Sequence, residues 1–137
     1  MLIGRALLDD VIAHAREEYD AECCGVIAYH DLAPDGNGQA LEVRRAKNKW
    51  ASRKRFEIDG RELYGIYKDF DARGWEIGAL YHSHTHTEPY PSQTDINYAR
   101  EWPGVEWVIV GLAGETPEVR SYLIEDGQVR EVALTVR

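Results

Sequence analysis

An apolar strand that runs into two closely spaced histidines and then a helix start constrains the fold of this chain most. The pattern from Glu76 to Tyr81 predicts a central strand, and His82 and His84 follow at its carboxyl end. Alternate residues of a strand share a face, so both imidazoles should project to the same side. Seven residues separate His84 from Ser-Gln-Thr-Asp, which has the spacing of a helix N-terminus, with Ser92 as N-cap and Asp95 in the first turn.

These side chains form a donor set that suits zinc. Two imidazoles and one carboxylate match the ligand preference of Zn²⁺ and leave its fourth position to water, which is typical of a catalytic site. We therefore predict that His82, His84 and Asp95 bind the metal. His86 is an alternative ligand, and a structural zinc site would need it as the fourth protein donor.

Length and composition predict a single domain that spans 1–137. The chain is 44% hydrophobic, enough for one core, and carries 16 basic against 24 acidic residues. A net charge of −8 argues against nucleic acid as a partner. The N-terminal stretch resembles neither a signal peptide nor a membrane span, and Cys23 and Cys24 are adjacent and therefore implausible as a disulfide. We expect a cytoplasmic protein with no membrane partner.

The remaining patterns predict a fold of the α/β class, more closely of the α+β type, with a mixed, mostly antiparallel sheet flanked by helices. Helices are predicted at about 7–19, at 63–74 with Leu63, Ile66, Tyr67 and Phe70 on one face, and at 92–102. Further strands are predicted at 24–29, 40–45, 56–58, 106–111, 119–124 and 129–136, with a hairpin turn at Asp126-Gly127.

The combined motif resembles that of the JAMM (MPN-plus) metalloprotease family. His-Ser-His, seven residues and Ser-x-x-Asp are its core, and a glutamate upstream of a Cys-Gly pair, here Glu22, belongs to it. The resemblance covers the whole chain in element order and implies a cytidine-deaminase-like JAMM (MPN) fold. It implies that His82, His84 and Asp95 bind zinc. It also implies that Glu22 is the general base and acid, and that Ser92 helps to stabilise the oxyanion.

Elementary chemistry agrees with these roles but leaves alternatives for two residues. Zinc lowers the pKa of bound water to about 7, and a nearby carboxylate can carry the proton to the leaving group. Taken from the residues alone, Glu22 is better explained as a solvated carboxylate at a helix end, and only the resemblance reverses that order. Ser92 is equally well explained as an N-cap. The motif departs from many family members at Thr85, where they have proline.

Within the family, the short chain and its motif look most like the bacterial Mec-type enzymes. These release cysteine from the C-terminus of a small ubiquitin-like sulfur-carrier protein, which implies hydrolysis of the amide between the carrier's terminal glycine and cysteine, as a step of cysteine biosynthesis. Two alternatives keep the same site: an isopeptidase that removes ubiquitin-like modifiers from lysines, and trimming of a carrier tail to expose Gly-Gly. A non-enzymatic MPN scaffold domain would lack the ligands.

A ubiquitin-like carrier with a Gly-Gly tail is therefore the expected partner. Such a tail is thin enough to lie along an exposed strand edge. The segment 44–55 holds seven basic residues in an otherwise acidic chain, and we expect it either to steer an acidic face of the carrier or to be a solvated loop. Exposed edge strands also make a homodimer conceivable.

Overall fold

A computed structural model describes all residues of the chain, 1–137. Its helices are α1 (Arg5–Glu18), α2 (Gly60–Ala72) and α3 (Gln93–Ala99). Its strands are β1 (Leu2–Ile3), β2 (Cys24–Tyr29), β3 (Glu42–Ala46), β4 (Glu76–His84), β5 (Glu106–Gly111), β6 (Glu118–Glu125), β7 (Gln128–Val132) and β8 (Thr135–Val136).

A six-stranded sheet in the order β3-β2-β4-β5-β6-β7 organises the fold. Strands β4 and β5 run parallel and every other neighbouring pair is antiparallel, which confirms the predicted mixed, mostly antiparallel sheet. The parallel pair needs a crossover, and the loop after β4 together with α3 supplies it. The last hairpin turns at Asp126 and Gly127, as predicted, and both have positive φ.

Strand alternation divides the core into two layers. Ala79 and Tyr81 of β4 face α1, while Leu80 faces α2 and α3. His82 lies on the same face of β4 as Leu80 and packs beside Phe56. The end of β4 therefore faces the side of the sheet that carries α3. The end of β4 thus places its two histidines beside the start of α3.

Two strand predictions were wrong. The segment 56–58 is not a strand, and only Ile58 pairs, in a single bridge with Asn48. Its alternating pattern arises because Phe56 and Ile58 are buried in the core. The predicted strand 129–136 is two strands, since the chain leaves the sheet after Val132 so that β8 can pair with β1. Strand β1 is too short to give a sequence pattern.

Two helix predictions also need correction. Helix α3 ends at Ala99 rather than near 102. After Ala99, turns in which each N–H donates to the carbonyl three residues earlier continue to Trp102. In α2, Ile66 and Phe70 are buried as expected, but Tyr67 is 47% exposed. No helix has the length and apolar character that crossing a membrane requires.

Candidate metal centre

The three predicted ligands meet at the end of β4. Asp95 Oδ2 lies 3.0 Å from His82 Nε2 and 3.1 Å from His84 Nε2, and the two Nε2 atoms are 3.1 Å apart. All three side chains are buried, and their donor atoms lie within 4.8 Å of one another. Burial lowers the pKa of His82, so its imidazole is neutral at pH 7 and has a lone pair to give.

This donor set fits a zinc ion. Zinc binds imidazole nitrogen and carboxylate oxygen at about 2.0–2.2 Å, so neighbouring donors of a tetrahedron are about 3.3–3.6 Å apart. The observed triangle, with sides of 3.0 to 3.1 Å, is slightly smaller than that spacing. Burial by itself would raise the pKa of Asp95, but the two imidazoles and the Ser92 N–H outweigh it and hold the pKa well below its usual range.

The loop that follows β4 orients His84. Its Nδ1 lies 2.9 Å from the carbonyl oxygen of Glu88, which requires a proton on Nδ1 and leaves the lone pair of Nε2 facing the site. The hydroxyl of Tyr122 donates to the next carbonyl, that of Pro89, and so anchors the same loop to β6. A Cβ at Gly111 would lie 2.8 Å from the Pro89 ring, so the loop packs closely on β5.

Aromatic packing orients His82 instead. The Phe56 ring stacks on its imidazole at a centroid distance of 4.3 Å, and Trp107 meets it edge-on at 5.8 Å. His82 Nδ1 is buried without a hydrogen-bond partner, so the ring direction is set by this packing together with the contact of Nε2 with Asp95.

The first turn of α3 holds Asp95 through a reciprocal capping box. Ser92 Oγ accepts the Asp95 N–H at 3.1 Å, and Asp95 Oδ2 accepts the Ser92 N–H at 3.0 Å. Ser92 is thus an N-cap, as its spacing predicts. Because a hydroxyl can donate while it accepts, Ser92 keeps a proton to offer, and its side chain lines the adjacent cleft.

Glu22 lies beside this triangle and is the second predicted element of the site. Its side chain is only 4% exposed, and its Oε1 has no hydrogen-bond partner. Burial raises the pKa of Glu22 to about 8, against its ordinary value of 4.5. A buried carboxylate that nothing in the protein satisfies is typical of a functional group rather than of a solvated helix end.

Two residues that sequence reasoning missed place Glu22. Ser83, between the two histidines, points to the opposite face, where its Oγ accepts the Cys23 N–H at 2.9 Å. Asn48 is buried and its Nδ2 donates to the Glu22 carbonyl at 3.1 Å and to the Arg55 carbonyl at 3.0 Å. The His-Ser-His motif contained a signal for Ser83, but no local pattern distinguishes Asn48.

A cleft of about 520 Å³ opens onto the site and has no apolar lining residue. Its lining residues are Glu22, Arg53, Lys54, His84, His86, Thr87 and Ser92. His86 does not join the donor triangle, because its Nε2 pairs with Asp20 Oδ1 at 2.7 Å on the surface. The structure therefore offers no fourth protein donor from His86.

The basic segment 44–55 is not one free positive surface. Four of its seven cations form ion pairs, namely Arg44 with Asp69, Arg45 with Asp10 and Glu17, Lys49 with Glu57, and Arg53 with Asp20. Arg55 stacks over the half-exposed Trp50 ring at 3.9 Å. Only Arg53 and Lys54 reach the cleft, so the segment as a whole is less suited to long-range steering than its composition predicts.

A mixed sheet that gathers two histidines and an aspartate beside a buried glutamate defines a hydrolase of the JAB type. The chain belongs to the prokaryotic homologs of the JAB domain, whose family model matches residues 4–125. The resemblance recognised in the sequence is thereby confirmed, as is the fold class that it implied.

Relatives of the chain include two curated peptidases and a solved structure. The CysO-cysteine peptidase of Mycobacterium tuberculosis is 32% identical over 99% of this chain and 90% of its own length. The desampylase of Haloferax volcanii is 32% identical over 77% of this chain and 76% of its own. A protein from Desulfitobacterium hafniense superposes with a TM-score of 0.86 at 28% identity, over 100% of this chain and 93% of the other.

Proposed function

We propose that this protein is a zinc-dependent hydrolase that cleaves the amide between the C-terminal glycine of a ubiquitin-like sulfur-carrier protein and cysteine. The whole chain, 1–137, would act as one catalytic domain and release free cysteine. His82, His84 and Asp95 would hold the metal, with Glu22 as general base and acid and Ser92 as an oxyanion donor.

One observation carries the proposal: the unsatisfied carboxylate of Glu22 lies beside three converging donors at the floor of an open polar cleft. A Zn²⁺ ion in that position supplies Lewis-acid chemistry, which polarises a carbonyl and makes water a stronger acid. Glu22 can accept a proton from the attacking water and donate it to the leaving amine. In the metal-free protein a pKa of about 8 keeps Glu22 protonated at neutral pH, and a cation bound beside it would lower that pKa so that its carboxylate can act as the base.

Ser92 would assist where charge develops on the scissile carbonyl. Its hydroxyl proton is not used by the capping box, in which Ser92 Oγ only accepts. The rigid first turn of α3 keeps that donor in place without reorganisation, and removal of one such donor elsewhere costs about 10²–10³ in kcat. Substitution of Ser92 by alanine also removes an N-cap, so its effect on activity needs a stability measurement beside it.

The substrate assignment is supported by similarity to the CysO-cysteine peptidase over nearly the whole of both chains. A second candidate keeps the same site but acts on conjugates joined through lysine, and the similarity to a desampylase favours it. The two differ in the leaving group, which is a free amino acid in the first and a protein side chain in the second.

The test uses purified, zinc-loaded protein and a ubiquitin-like carrier that ends in Gly-Gly-Cys. Intact mass should show loss of one cysteine with the wild type and no loss with Glu22→Gln, while elemental analysis should find equal zinc in both. Glu101→Gln is the matched control, since Glu101 is exposed and outside the cleft.

The outcomes separate the parts of the proposal. Cleavage of a lysine-linked conjugate in place of the Gly-Gly-Cys carrier would favour the second candidate. Full activity of Glu22→Gln would remove Glu22 from the chemistry. Absence of zinc from the wild type, with unchanged metal content in His84→Ala, would refute the metal centre itself.

A further inference from the structure

Two cations line the cleft next to Glu22, although the chain carries a net charge of −8. None of its lining residues is apolar, and Arg53 and Lys54 form part of its wall. A leaving lysine side chain would bring no carboxylate to this wall. A leaving C-terminal amino acid would instead bring a carboxylate.

The covalent geometry of an amino acid limits where that carboxylate can lie. In a C-terminal residue the carboxyl carbon is two bonds from the scissile nitrogen, about 2.5 Å away. The carboxylate therefore stays beside the group that delivers a proton to this nitrogen, which is Glu22 in the proposed reaction. A cation that binds this carboxylate must then lie in the same cleft as Glu22.

The loop that carries the two cations is fastened to Glu22. The Glu22 N–H donates to the Ser52 carbonyl at 2.8 Å, and the Lys54 N–H donates to Ser52 Oγ at 3.0 Å. Asn48 also connects the loop to Glu22, because its Nδ2 donates to the carbonyls of both Glu22 and Arg55. Hydrogen bonds thus hold the backbone of this loop at Glu22, so that Arg53 and Lys54 start from fixed positions beside it.

Both cations have binding capacity left. Arg53 makes one ion pair, with Asp20 Oδ2 at 3.6 Å, which is longer than a hydrogen bond. Lys54 is in no ion pair. A guanidinium offers five N–H donors in a fork that matches a carboxylate, and an ammonium adds a point charge beside it.

We infer that Arg53 and Lys54 form a subsite for the free α-carboxylate of the residue that leaves. This inference rests on the proposed function and narrows it: the substrate is a carrier with one added C-terminal amino acid, and the site discriminates against leaving groups that lack a carboxylate. The half-exposed Asp20 pairs with His86 and also lies within ion-pair distance of Arg53 at the cleft wall.

The test compares two carriers that differ in one group, a C-terminal Gly-Gly-Cys with a free carboxylate and the same sequence as the C-terminal amide. For the wild type, kcat/KM should be about 10-fold or more higher for the acid, the factor expected from a charge-assisted hydrogen bond. The double variant Arg53→Gln/Lys54→Gln should reduce that preference to about twofold or less. Lys47→Gln/Lys49→Gln is the matched control, since it also removes two positive charges from the same segment but outside the cleft.

Binding is measured separately with the Glu22→Gln protein, so that the result does not depend on cleavage. Tighter binding of the acid than of the amide, lost in the triple variant with Arg53→Gln and Lys54→Gln, supports the subsite even if neither carrier is cleaved. Equal affinity for acid and amide overturns it. If the double variant Arg53→Gln/Lys54→Gln keeps the wild-type preference for the acid over the amide, the subsite is overturned as well. The metal or another group would then bind the carboxylate.

Discussion

Replacement of Glu22 by glutamine should stabilise the metal-free protein, and the gain should grow with pH. Burial raises the pKa of Glu22 to about 8 from an ordinary value of 4.5, and its Oε1 is unsatisfied. Between these two pH values the unfolded chain has lost a proton that the folded protein keeps. Stability contributed by the neutral carboxyl is therefore present in full below pH 4.5 and declines as pH rises through 8.

The size of the effect follows from the two pKa values. Linkage gives a cost of about 1 kcal/mol at pH 5 and about 4 kcal/mol at pH 8 for the wild type. Glutamine has no such cost because it does not ionise. The difference in the free energy of unfolding between variant and wild type should thus be larger at pH 8 than at pH 5 by up to about 3 kcal/mol.

Urea denaturation of EDTA-treated protein at several pH values between 5 and 8 measures this difference directly. Glu101→Gln removes an exposed carboxylate and should show no comparable trend. If the Glu22→Gln gain were the same at pH 5 and pH 8, the carboxylate would not be desolvated in the folded protein. The functional argument from its burial would then fail with it.

Three further substitutions test the surroundings of the site. Asn48→Ala should destabilise the protein by about 2–4 kcal/mol in urea and lower kcat, because it frees the Glu22 carbonyl and the loop it holds. Tyr122→Phe should weaken zinc binding about 10-fold in a chelator competition, since it releases the loop that orients the second ligand histidine. Gly25→Ala should cost about 1–3 kcal/mol of unfolding free energy or more, because its Cβ would lie 2.2 Å from the Tyr81 ring.

Each of these substitutions has a control elsewhere in the chain. Asn97→Ala removes an exposed amide, and Tyr64→Phe removes a hydroxyl from a side chain that is 63% exposed. Gly65→Ala places a methyl group in open space on α2 and should stabilise by about 0.4–1 kcal/mol. A loss of stability in Gly65→Ala similar to that in Gly25→Ala would show that crowding against Tyr81 is not the cause.

The parts of the site that depend on local sequence could be predicted. Two histidines on alternate positions of a strand and an aspartate in a capped first turn are readable because strand period and capping geometry act over a few residues. The same holds for β2 and for the hairpin at Asp126-Gly127. Strand β1 and the break between β7 and β8 were missed, because β1 and β8 have two residues each and form only by pairing with each other.

The role of the basic segment was not readable for a different reason. Seven cations in twelve positions suggest a surface for a partner, yet their acidic partners lie far away in sequence, such as Asp10 for Arg45 and Asp69 for Arg44. Ion pairing between elements is decided by the fold, so composition alone overstates free charge. Of the seven cations, only Arg53 and Lys54 line the cleft, and their proposed role depends on that position, which the sequence does not show.

The long-range part of the site is set by the register of two antiparallel strands. Cys24 pairs with His82, and the Cys23 backbone then bonds Ser83 through both its N–H and its carbonyl, so Glu22 arrives opposite His84. A shift of this register by one residue would move Glu22 along β4 and turn its side chain away from the face that carries His82 and His84. The serine between the two histidines prevents such a shift, because its buried hydroxyl is satisfied only by the Cys23 N–H. The motif therefore encodes more than ligands: its central residue aligns the proposed base with them.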